Sequence, residues 1–187
     1  MAIFYPQKIL TTNKTEITFA YNNYSSMIFA NSGSAGVTID LYVLGSSSKD
    51  SSLITITDIT NTGVLAAEAE VVSTSSVTLN VDTVLPTDEL LKDERVYKSD
   101  GTFFGIATAT ADASPDTVTF SGGLENAIAD DDPLYTGTRY YFLRNVKIPK
   151  GSSLKLTSDE FKFDDTNYKL YINSSSATGD IDIITRY

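Results

Sequence analysis

Ala35-Gly36-Val37-Thr38-Ile39-Asp40-Leu41-Tyr42-Val43 is the stretch that decides the fold class. Val37, Ile39, Leu41 and Val43 fall on one face of an extended chain, and Thr38, Asp40 and Tyr42 on the other. Side chains alternate across a strand with period 2, so this pattern specifies a strand with one apolar and one polar face. The same alternation recurs on both sides of it. Ile17, Phe19 and Tyr21 repeat it, as do Leu154 and Leu156 around Lys155, and Phe161 and Phe163 around Lys162. Tyr168, Leu170 and Ile172 alternate with Lys169 and Tyr171, and Ile181 and Ile183 with Asp180 and Asp182. Half-buried antiparallel strands have this signature.

Turn residues separate the runs. Tyr21-Asn22-Asn23-Tyr24, Asn31-Ser32-Gly33-Ser34, Ile148-Pro149-Lys150-Gly151 and Ser174-Ser175-Ser176 each punctuate two strands. Short strands at close spacing predict an all-β chain, an antiparallel β-sandwich of immunoglobulin-like or jelly-roll-like type. Helix is scarce. Thr87-Asp88-Glu89-Leu90-Leu91-Lys92 reads as one helical turn capped by Thr87. Leu65-Ala66-Ala67-Glu68-Ala69-Glu70 runs into Val71-Val72 and reads as a strand.

Composition narrows the chemistry. The 187 residues contain no Cys and no His. Disulfides, thiolate metal sites and Ser-His-Asp or Cys-His catalysis are therefore excluded. A paired-carboxylate hydrolase would need two carboxyls about 5–9 Å apart in a cleft, and no pair of acids is marked out for it. The expectation is a non-enzymatic protein without cofactors. Residues 1–8 lack the basic start and apolar run of a signal peptide. No stretch approaches the roughly 20 apolar residues of a membrane span. The net charge of −10 argues against nucleic acid, whose phosphates need clustered Lys and Arg.

The charge is unevenly placed. Residues 51–137 hold 15 acidic and 3 basic side chains, whereas residues 1–50 and 138–187 together hold 9 acidic and 11 basic. The polar run Gly45–Ser52 and the Asp130-Asp131-Asp132-Pro133 stretch mark the transitions. Neither flank of about 50 residues makes a stable domain alone, but joined they reach ordinary domain size. The expected organisation is a discontinuous sandwich, 1–50 plus 138–187, with an acidic small β-domain, 51–137, inserted at a loop. The competing organisation is one larger β-domain with an acidic edge.

The flanks resemble a class of small immunoglobulin-like virion proteins of tailed phages. The resemblance rests on Met27-Ile28-Phe29-Ala30-Asn31 followed by Ala35–Val43, on Val146-Lys147-Ile148-Pro149-Lys150-Gly151, and on Lys169-Leu170-Tyr171-Ile172 with Asp180-Ile181-Asp182-Ile183-Ile184. The middle resembles a hairpin of small barrels in phage structural proteins. There Val96-Tyr97-Lys98-Ser99-Asp100-Gly101-Thr102-Phe103-Phe104-Gly105 is followed by Thr117-Val118-Thr119-Phe120, and Asp-Gly is itself a strong hairpin signal. The usual members have contiguous sandwich halves, and the acidic middle departs from them. The resemblance implies a virion component assembled in the host cytoplasm, a capsid decoration or cement protein first. A tail, neck or baseplate component, as adaptor or fibre attachment, is the alternative. A host-surface carbohydrate-binding module is a third class.

The implied partners are other virion proteins, namely the major capsid protein or tail and neck proteins. A symmetric homo-oligomer such as a trimer suits a particle-bound protein, and strand edges could add β-augmentation to the docking. The interface candidates are Arg139, Tyr140, Tyr141 and Arg144, because aromatics and Arg anchor interfaces. In a regular strand Tyr140 and Phe142 share one face and Tyr141 takes the other. Asp130, Asp131 and Asp132 are the metal candidates, since three carboxylates could hold Ca²⁺. They lack the Asp-x-Asp-x-Asp-Gly spacing, and a solvated turn is the simpler reading. Asp164-Asp165 reads as a hairpin turn.

Overall fold

The computed structural model describes residues 3–10, 14–19, 24–44, 58–82, 91–160, 168–176 and 179–187. Among them lie fifteen strands and no α-helix. In chain order these are β1 (Phe4–Ile9), β2 (Thr15–Ile17), β3 (Ser26–Asn31), β4 (Val37–Leu44) and β5 (Ile59–Leu65). Next come β6 (Val77–Val81), β7 (Glu94–Tyr97), β8 (Phe103–Ala107), β9 (Ala109–Ala111) and β10 (Asp116–Phe120). The last are β11 (Pro133–Gly137), β12 (Arg139–Ile148), β13 (Ser153–Thr157), β14 (Leu170–Ser174) and β15 (Ile181–Arg186). The chain divides into two compact units, Met1–Leu44 with Arg139–Tyr187, and Gly45–Thr138. The charge shift and the polar runs beside it drew these boundaries at 50/51 and 137/138.

The first unit is an antiparallel sandwich of two four-stranded sheets, ordered β1-β15-β3-β13 and β12-β4-β14-β2. The period-2 rows of the sequence form its core. Ile9, Met27, Phe29, Ile181 and Ile183 come from one sheet, and Ile17, Val37, Ile39, Leu41, Val43, Ile148, Leu170 and Ile172 from the other. All are nearly inaccessible to water. Burying a side chain of this kind contributes roughly 1.5–3 kcal/mol, so thirteen of them set the sheet-on-sheet pairing.

The outer strands of both sheets are blunted. β1 carries Pro6, which has no N–H to donate; β2 has three residues; β13 is short and presents exposed Lys155; β12 departs from regular register twice. These are the devices that stop a sheet from extending edge to edge. They weigh against the expected docking by β-augmentation and leave the sheet faces as the broader surfaces.

The second unit pairs a three-stranded sheet, β6-β10-β9, with a four-stranded one, β5-β11-β7-β8. Leu79, Val81, Val118 and Phe120 from the first pack against Val64, Val96, Phe104, Ala107 and Leu134 from the second. The Asp100-Gly101 hairpin forms between β7 and β8. Gly101 has φ 90°, and the Lys98 N–H donates to the Thr102 carbonyl at 2.8 Å.

One strand expectation changes. Leu65–Val72 is not a strand: β5 stops at Leu65, and the chain then makes isolated bridges at Ala66, Glu70 and Ser73. No strand edge runs alongside Val71 and Val72, which stay 73% and 59% exposed, so pairing partners override local β-propensity. In β12 the expected alternation holds through Tyr140, Tyr141 and Phe142 and breaks only after Phe142, for a reason given below. The expected turns at Asn22-Asn23 and Asp164-Asp165, the Phe161–Phe163 strand and the linker after Leu44 lie outside the described residues. So does the Thr87 helical turn, except for Leu91 and Lys92, which sit in a turn.

Candidate docking face

The outward face of β12-β4-β14 carries a row of three tyrosines. In β4 the inward phase belongs to Ile39, Leu41 and Val43, which leaves Tyr42 pointing out. Its register partners are Tyr141 on β12 and Tyr171 on β14. Ring centroids lie 5.4 Å apart for Tyr42–Tyr141 and 6.1 Å for Tyr42–Tyr171. Tyr42 is 0% and Tyr171 8% exposed, whereas Tyr141 keeps 37%. The Tyr42 hydroxyl donates to Asn173 Oδ1 at 2.9 Å, so the buried phenol is satisfied.

Cations stand over each ring. The Arg139 guanidinium is 4.9 Å from the Tyr42 centroid, Arg144 is 5.1 Å from Tyr141, and Lys14 Nζ is 5.1 Å from Tyr171. Such contacts contribute about 0.5–1 kcal/mol each at exposed sites. Lys147, opposite Thr38, and Lys169 extend the basic surface. Among the described residues the acids on this face are Glu16, bonded to Lys169 at 3.2 Å, and Asp40, which accepts the Asn145 backbone N–H. Among the described residues five cations thus meet two carboxylates on this face, in a chain whose net charge is −10.

The phase of β12 explains how Arg144 reaches this face. Register slips by one residue between Tyr141 and Leu143, and again between Leu143 and Val146. The first slip sends Phe142 and Leu143, which are consecutive, against the sandwich core. Strict alternation from Phe142 would have aimed Arg144 inward; the bulge turns it out, onto Tyr141. Asn145 completes the second slip at φ 54°, a left-handed conformation that Asn tolerates well, and Asp40 holds its N–H.

Of the four interface residues expected from sequence, the structure brings three together, Arg139, Tyr141 and Arg144. Tyr140 is opposite Val43 on the other side of the strand, 44% exposed at the sheet margin. Tyr42, Tyr171, Lys14 and Lys147 are additional members. Their signal is the shared Leu-Tyr-(Val/Ile) triplet of β4 and β14, which puts a tyrosine out of phase with the apolar row in both strands.

The metal candidates are engaged in a turn. Asp132 accepts the Ala129 N–H at 2.8 Å and pairs with Lys98 at 3.2 Å, while Asp131 takes φ 61° and donates its N–H to the Ala66 carbonyl. Asp130 and Asp131 are exposed. Among the described residues no three acids are grouped to hold an ion.

The second unit has a groove of about 320 Å³ along β8, lined by Arg95, Phe103, Ile106, Thr108, Gly122 and Glu125 among others. Arg95 stacks on Phe103 at 4.5 Å and donates from Nε to the Tyr97 hydroxyl at 3.0 Å. No helix among the described residues is long and apolar enough to cross a membrane. Compared with known proteins, the chain matches no family model, no curated sequence and no solved structure.

Proposed function

We propose that this chain is a structural component of a tailed-phage particle, a capsid decoration or cement protein that docks through the outward tyrosine face of its sandwich. The observation that carries the reading is the composition of that face: half-exposed Tyr141 under Arg144, with Arg139 over the neighbouring Tyr42 and Lys147 further along the same face, over a tyrosine row that is already packed. Tyr and Arg are the residues that dominate binding at interfaces, and a pre-packed aromatic platform loses little entropy on docking. The strand and turn motifs shared with small virion sandwiches support the same reading.

Copy number per purified virion, measured by quantitative mass spectrometry against the major capsid protein, tests it. Hundreds of copies are expected for capsid decoration. Six to a few dozen would move the protein to the tail, neck or baseplate, and its absence from the particle would end the structural reading.

The groove beside Arg95 and Glu125 favours one second reading, a host-surface carbohydrate-binding module. Titration of host polysaccharide against the wild type and Arg95→Ala separates the two.

A further inference from the structure

We propose that the basic tyrosine face of one copy receives the acidic unit, residues 45–138, of a second copy. This rests on reading that face as an interface, and it names the partner.

Charge complementarity selects the partner. Residues 45–138 carry 16 acids and 4 bases, and the sandwich residues 8 acids and 10 bases. Among the described residues, the face of β12-β4-β14 carries a positive excess. An isologous contact centred on either patch alone would set basic face on basic face, or one strongly acidic unit on another, and like charges across an interface cost several kcal/mol. A contact that sets the basic face of one copy on the acidic unit of another brings opposite signs together. Made reciprocally it closes a two-fold dimer, and made head to tail it closes into a ring or runs on as a filament.

The charges on both sides are available. Neither Arg144 nor Lys147 has a carboxylate within 4.0 Å among the described residues, and both are exposed. On the acidic unit Asp112, Glu125, Asp130 and Asp131 are exposed, while Lys98, one of its few cations, is already held by Asp132. The acidic unit also resists joining by its strand edges. The Asn80 N–H on β6 donates to the Glu68 carboxylate at 2.8 Å, β9 has three residues, and the Phe104 carbonyl on β8 accepts the Glu125 N–H at 2.7 Å. With three of its four strand edges blunted in this way, side-chain charge is the broader surface that the acidic unit offers for association.

The test uses the full chain. Copies labelled with ¹⁴N and ¹⁵N are mixed at low salt and joined with a zero-length carbodiimide, which couples Lys to Asp or Glu. Links between isotopes from Lys14, Lys147 or Lys169 to carboxylates of residues 58–138 are expected. They should fall at least about tenfold at 0.5 M salt, where the Debye length shrinks to roughly 4 Å, and also in Arg144→Glu. Sedimentation velocity should show the same salt-sensitive assembly. A monomer at every salt concentration, links confined to one isotope, or links from these lysines to another sandwich would each overturn the proposal.

Particle binding separates this failure from failure of the docking reading. If the chain is monomeric but Arg144→Glu/Lys147→Glu is lost from virions, the face docks another protein. If that variant keeps full copy number, the face is not the docking surface.

Discussion

Asn31 Nδ2 donates to the Ile148 carbonyl at 2.9 Å, tying the end of β3 in one sheet to the end of β12 in the other across 117 residues of chain. The same amide donates to Ala35 O at 2.8 Å, and its Oδ1 accepts the Gly33 N–H at 2.9 Å. One buried side chain thus satisfies the turn into β4 and pins the end of the sandwich where β4 begins and β12 finishes, opposite the Leu44–Arg139 end of the same strand pair. Asn31→Ala leaves these backbone groups without partners, a loss of about 1–3 kcal/mol by urea unfolding. Asn31→Asp should cost more, because a carboxylate would face two carbonyl acceptors. Equal stability of Asn31→Ala and wild type would remove Asn31 from this role.

Tyr42 tests whether the tyrosine row is packed as firmly as its burial implies. Tyr42→Phe removes only the hydroxyl bond to Asn173 and should cost about 1 kcal/mol. Tyr42→Ala removes the middle ring of three and should cost about 3–5 kcal/mol. Arg139 loses its aromatic contact in that variant too. If Tyr42→Ala unfolds at the wild-type urea concentration, the row is a surface feature and the platform argument fails.

The sandwich core was legible because most of its strands keep strict period 2: the apolar inward residues of β4 and β15 can be read from Val37–Val43 and Ile181–Ile183. The face was only half legible. Arg144 sits outward because of a bulge at Phe142, and a bulge is fixed by pairing with β4, which no local pattern around Tyr140–Arg144 encodes. Val71-Val72 failed for the converse reason, having strand propensity without a partner. The groove at Arg95 joins β7, β8 and the loop at Gly122-Gly123, which are distant in sequence, so its residues could not be grouped beforehand.

Asp100 provides a pH-dependent test of the β7–β8 hairpin. The Thr102 N–H donates to its carboxylate at 2.9 Å, with the Thr102 hydroxyl adding to it, and these bonds hold its pKa below the ordinary value near 3.8. A carboxyl lowered in the folded state contributes stability above its unfolded pKa and loses that contribution as pH falls through the folded one. A carbon-detected NMR titration should therefore place the Asp100 midpoint below the ordinary aspartate value. Asp100→Asn keeps an acceptor for Thr102 and should preserve the turn while removing this acid sensitivity. A midpoint at or above the ordinary range would show that the cap does not hold in solution.

Gly123 tests whether the two units unfold separately. It takes φ 87°, and a Cβ placed there would lie 2.1 Å from the Ser73 carbonyl oxygen. That oxygen accepts the Leu124 N–H at 2.8 Å, and Ser73 donates back to Leu124 at 3.0 Å, so the backbone has little room to withdraw. Strained φ alone costs about 1–3 kcal/mol, and the overlap adds to it. Leu124 is 1% exposed in the core of the 45–138 unit, so the damage reaches Phe104 and Phe120 directly. The cores on either side of the Leu44–Gly45 and Thr138–Arg139 boundaries share none of their buried residues. Hydrogen exchange of Gly123→Ala should therefore show rapid exchange in peptides covering β8 and β10, while β3, β4 and β15 keep wild-type protection. Loss of protection in both sets together would mean that the sandwich depends on the acidic unit for its stability, and the chain would then have to be treated as one cooperative fold.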